Sequence, residues 1–152
     1  MSEAQSIIDS LNQLLKTEAR SLTHHLHEAD APPYLTARTY PIWRKIKAMI
    51  DVSSEHETRL KQLIKQAGGV PVTPTFRSPV AGFHYLNLPT LLPLLIEETS
   101  NKIAAYEQVL AESPADVSAE LAALLEKNRE QLQQLQSLLE QLPAQETEGY
   151  KP

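Results

Sequence analysis

Apolar residues recur along this chain at the spacing of helical faces, and polar residues break into those faces at a few repeated levels. Between Ile8 and His25 the positions Ile8, Leu11, Leu15, Glu18, Leu22 and His25 advance by alternating threes and fours, as one buried face of a helix does. The segment should end near "EADAPPY", where Pro32 and Pro33 forbid continuation. A second stripe runs Ile42, Ile46, Met49, Ser53, His56, Leu60, Leu63 and Ala67. Thr39 or Thr36 can cap it, and Pro41 is tolerated in its first turn because its missing N–H has no partner there. Gly68 and Gly69 end it, since glycine takes the left-handed conformation at little cost.

A third helix is expected to start near Thr90, with Pro93 in its first turn and a stripe of Leu92, Ile96, Thr99, Ile103, Tyr106 and Leu110. A fourth is expected at "SPAD", with Ser113 as cap, Pro114 in the first helical position and Asp116 near the positive helix end. Its stripe is Leu121, Leu125, Asn128, Leu132, Leu135, Leu139 and Leu142. The intervening "VPVTPTFRSPVAGFHYLNLP" has prolines and no sustained period, so it reads as a long connection. About twenty extended residues span tens of ångströms, enough to run the length of a helix bundle. The expected fold is therefore all-α, a four-helix bundle over residues 1–142 in which one long crossover makes helices two and three parallel. The polar stretch 143–152 is expected to be a loose tail.

Composition narrows the chemistry. The chain has 152 residues, the size of one domain, and a formal charge of -5 that argues against nucleic acid as a partner. It has no cysteine, so His, Asp and Glu are its strong metal ligands. The longest apolar run, "LPTLLPLLI", is too short to span a membrane, and "MSEAQSIIDSLNQLL" lacks the basic start of a secretory signal; a cytoplasmic protein is expected.

Two stretches carry a family resemblance. "EHETRLKQLIKQAGGVP" resembles the end of the second helix in bacterioferritins and related ferritin-like proteins, where a ligand histidine precedes apolar residues and a glycine turn. "LNQLLKTEARSLTHH" resembles their first helix, which carries a ligand glutamate, and the pattern of helices and crossover covers residues 4–142. The resemblance implies a di-iron site built from one Glu on each of two helices and a Glu-x-x-His pair on each of the others. Glu18 and His56 match the first-helix glutamate and the second-helix histidine, and these two are the candidate metal ligands. The remainder departs from the family pattern. Ser53 stands where the second helix should have Glu, and Leu125 and Asn128 stand where the fourth should have Glu and His. Glu98 borders the third stripe, with Thr99 at its centre, and His25 lies one repeat beyond Glu18.

Inner polar residues also have a plainer explanation, because buried polar groups usually satisfy one another. Glu18, His25, His56, Glu98 and Asn128, with Ser53, Thr99 and Tyr106 as neighbours, are accordingly expected to form one central polar pocket that needs no cofactor. His24 and His27 share a different face, expected to point to solvent or a subunit contact. Phe83 and Tyr85 in "FHYLNL" are expected to anchor the crossover or complete a subunit contact. The resulting expectation is a ferritin-like bundle lacking a complete di-iron site, a homodimeric structural or interaction module rather than an enzyme. The rivals are an iron or manganese protein with an oxidase or storage role, and a bundle that binds a small molecule in its polar pocket.

Overall fold

In the computed structural model, which describes residues 2–29, 32–73 and 86–143, the protein is all-helical and has no strand among those residues. Its helices are α1 (Glu3–Ala19), α2 (Leu22–Ala29), α3 (Tyr40–Gln66), α4 (Leu88–Glu112) and α5 (Ala115–Glu140). Phe83, Tyr85 and the stretch 144–152 lie outside the described residues.

The first expected helix is two helices. Its stripe continues past Ala19, yet the backbone breaks at Arg20 and Ser21 because a new N-terminus is capped there. The Ser21 hydroxyl donates to the Glu18 carbonyl at 2.7 Å and accepts from the His24 N–H at 3.0 Å. Glu98 reaches across from α4 and accepts from the Leu22 N–H at 2.6 Å and the Thr23 N–H at 3.2 Å. Its negative charge sits at the positive end of α2, the favoured arrangement.

Other boundaries also moved. α4 starts two residues before Thr90, because Asn87 is its cap and accepts from the Thr90 N–H at 3.0 Å; Pro93 then falls inside the helix rather than at its entry. Ser113 closes α4 instead of capping α5, donating to the Leu110 carbonyl at 2.9 Å, and Pro114 takes the cap position of α5. At the end of α3 the expected glycine stop is present in detail. Gly68 has φ 89°, and the Gly68 and Gly69 N–H groups return to the Lys65 and Ile64 carbonyls at 3.0 and 2.9 Å. A β-carbon on Gly69 would come within 2.6 Å of Ile8, so this turn also fixes how closely α3 meets α1.

The interior is divided in two. One apolar cluster joins Ile7–Leu15 of α1, Leu60–Ile64 of α3, Tyr106 of α4 and Val117–Leu125 of α5. The other joins Leu22 and Leu26 of α2, Ile42–Ile50 of α3, Leu88–Leu95 of α4 and Leu135–Leu142 at the end of α5. α3 and α4 both start in the second cluster and end in the first, whereas α5 runs the other way. α4 packs mainly on α5, and both α1 and α2 pack on α3. Outside the helices, Tyr34 N–H donates to the Leu86 carbonyl at 2.9 Å, and Asn12 holds Val70 and Val72 by their backbones at 3.3 and 2.8 Å.

Removing the cross-chain cap tests this account of the break. Glu98→Ala leaves two α2 N–H groups without their acceptor and should cost about 1–3 kcal/mol in denaturant unfolding. Amide exchange should rise in α2 far more than in α4; equal acceleration in both helices would mean that Glu98 does not act as the cap.

Candidate functional site

Between the two apolar clusters each long helix presents polar residues to the interior. α1 supplies Glu18, α3 supplies Ser53 and His56, α4 supplies Thr99 and Lys102, and α5 supplies Asn128, all of them buried. Tyr106 borders this layer and is fully buried. The expected register of α5 holds, since Leu125 and Asn128 are inside while Glu126 and Arg129 are exposed and pair with each other at 3.7 Å.

Lys102 is the residue that sequence reasoning missed. Its ammonium, only 3% exposed as a residue, lies 3.4 Å from Glu18 Oε2 and 3.8 Å from Glu98 Oε1. Glu18 Oε1 also accepts from the Tyr106 hydroxyl at 3.1 Å and faces His56 Nδ1 at 3.8 Å. The last separation exceeds hydrogen-bond length, so no hydrogen bond joins His56 to the carboxylate. Burial on its own would raise the Glu18 pKa. The Lys102 charge, helped by His56 and Tyr106, overcomes that and holds it at about 2. Burial, followed by the Glu18 charge, pushes the Tyr106 phenol well above its ordinary value, so it remains a hydrogen-bond donor.

The other layer residues are held mainly by their own helices. Thr99 donates to the Leu95 carbonyl at 2.8 Å, Ser53 to the Met49 carbonyl at 3.0 Å, and Asn128 to the Leu124 carbonyl at 3.0 Å. Gln131 bridges α5 to α3 by donating to Ser53 Oγ at 2.7 Å. Within this layer, Asn128 Oδ1 and both ring nitrogens of His56 have no hydrogen-bond partner among the described residues.

The structure brings Glu18 and His56 together in one layer with Ser53, Thr99, Tyr106 and Asn128, but it gives Glu98 and His25 other places. Glu98 serves as the α2 cap. His25 lies beyond the break; burial, then the neighbouring His24, lowers its pKa. Among the described residues no three His, Asp or Glu side chains form a group able to hold a metal ion. His24 is partly covered by α3, while His27 reaches α3 from the exposed side expected for it. His24 Nδ1 meets Glu57 at 2.6 Å and His27 Nδ1 meets Asp51 at 2.9 Å, and the second contact, ahead of one from Lys47, lowers the Asp51 pKa.

This donor set does not fit the di-iron group implied by the resemblance. The carboxylate that should bridge two cations already faces an ammonium, and Ser53, Leu125 and Asn128 add no negative charge. The enclosed space is also small: the cavity between Glu18, Ser53 and Glu57 holds about 10 Å³, the room of one water. A larger cleft of about 630 Å³ opens between α3 and α5, and His56 lines it. No family model, curated protein or solved structure matches this chain.

The pair can be tested by removing its halves separately and together. Lys102→Met leaves a buried carboxylate uncompensated and should cost about 3–5 kcal/mol at neutral pH, whereas adding Glu18→Gln should recover much of that loss. Glu18 ionises near 4.5 when unfolded and at about 2 when folded. Its contribution, on the order of 3 kcal/mol, is therefore complete above the unfolded value and is lost as pH falls toward the folded one. Urea midpoints between neutral pH and pH 3 should fall steeply for the native chain and more weakly for Glu18→Gln.

Proposed function

We propose that this chain is a four-helix bundle of ferritin-like plan, with α1 and α2 sharing the first position, whose central layer is a metal-independent structural network and whose role is that of an interaction module. The plan is supported by the shared direction of α3 and α4, both of which start in one apolar cluster and end in the other. The observation that carries the metal-independent reading is the Lys102 ammonium 3.4 Å from Glu18, a fixed cation beside the carboxylate that a metal would need. Such a layer sets the level at which the helices meet and supplies no redox group. Ferrous iron added in air should show no rapid rise in ferric absorbance, and protein purified without chelator should not carry two metal ions per chain. Fast oxidation or a tightly bound metal pair would sink this reading in favour of iron or manganese chemistry.

We further propose self-association as a homodimer through the entry to α3. Tyr40 is 52% exposed there, beside a groove of about 480 Å³ lined by Leu35 and Trp43. Leu35, Tyr40 and Trp43 beside the charged Arg44, Lys47 and Asp51 form the kind of surface that a second copy covers. Sedimentation should give a dimer that Tyr40→Glu converts to monomer without lowering helix content; a monomeric native chain would refute the assignment.

A further inference from the structure

The cleft between α3 and α5 has the size, shape and unmet chemistry of a ligand site. At about 630 Å³ it falls within the range of small-molecule pockets, in contrast to the water-sized spaces of the polar layer. It exists because the facing residues are small or polar: Ala48 on one wall, Gln131 and Gln134 on the other. Met49, Val52 and Leu138 supply apolar surface, and Val52 is 51% exposed, more than a valine fixed in a bundle seam would be.

The cleft has a direction. Gln131 bonded to Ser53 fixes the level of α5 against α3, and because the two helices run oppositely, Lys127 comes level with His56 while Lys45 lies toward Gln141. From Lys45 to His56 is about 16 Å at 1.5 Å rise per residue. Neither lysine makes an ion pair among the described residues, and Glu130 is the single acid in the lining. His56 closes one end. It is 1% exposed, and neither ring nitrogen has a hydrogen-bond partner among the described residues. An imidazole so deeply buried with both nitrogens unsatisfied is costly unless something completes it. Nδ1 lies 3.8 Å from Glu18, and the same ring lines the cleft.

We propose that the α3–α5 cleft binds one molecule of an elongated amphipathic carboxylic acid, its chain along Met49, Val52 and Leu138 and its carboxylate between Lys127 and His56. The apolar walls remove the chain from water, Lys127 balances the charge, and a His56 N–H fixes the headgroup. The site requires no metal and does not depend on the oligomeric state.

Dodecanoate below its micelle concentration is a suitable probe, followed by isothermal titration, with dodecylamine as the charge-reversed comparison. The expected result is saturable binding of one dodecanoate per chain and much weaker binding of the amine. Lys127→Glu should weaken dodecanoate binding by about tenfold or more. Val52→Trp should fill the cleft and abolish it. Lys65→Glu, an exposed change of the same charge outside the cleft, should leave it intact. Absence of saturable binding, equal affinity for the amine, or equal loss in Lys65→Glu and Lys127→Glu would each overturn the proposal. Lys127 and Val52 are exposed, so their variants are expected to fold, and thermal melts followed by circular dichroism verify that before titration.

Discussion

Glu18 and Lys102 come from helices far apart in sequence, and keeping their charges together inside a helical interior constrains everything around them. Each ion gives up hydration worth several kcal/mol when it enters the protein, and only a close opposite charge with further hydrogen bonds offsets that loss. Tyr106 and His56 complete the carboxylate's surroundings, and Glu98 stands on the far side of the lysine. Sliding α4 by one turn would put the ammonium among the leucines of either apolar cluster. The pair therefore discriminates between registers that the leucine stripes alone would accept nearly equally.

The apolar clusters perform the complementary task. They provide most of the burial, yet their residues are nearly all Leu and Ile, which interchange with small penalties. Position along the bundle is set by the polar layer, and thickness by the clusters. α3 is central to both because it contributes to each cluster, supplies His56 and Ser53 between them, and receives His24 and His27 from α2 through Glu57 and Asp51. These two histidines thus attach the short helix to the long one.

The helical character, the inner faces of α3 and α5 and the inward placement of Glu18, Ser53, His56, Thr99, Tyr106 and Asn128 were legible in the sequence, because each follows from local periodicity. What was not legible depended on partners distant in the chain. The stripe of α1 runs on through Leu22 and His25, so period alone predicts one helix; the break follows from Ser21 together with a carboxylate supplied by residue 98. Lys102 was hidden for a different reason. Leu95, Thr99, Lys102 and Tyr106 advance by four, three and four, as regular as the chosen stripe, and a lysine is a poor guess for an interior position unless its partner is known. Ile96, Ile103 and Leu110 are consequently only half-buried at the edge of the face. An acid on one inner stripe with no second acid near it was the available signal for a buried cation.

The cap on α2 also bears on how the chain becomes complete as it is made. α2 has only eight residues, well below the length at which an isolated helix holds in water. Two of its first N–H groups wait for a side chain that lies more than seventy residues further along. A ribosome that has released α1, α2 and α3 has therefore made every residue of α2 but not the group that starts it. Until Glu98 emerges and α4 docks, that segment stays unfinished, and its histidines and leucines remain open to chaperones or to the same segment of a neighbouring nascent chain.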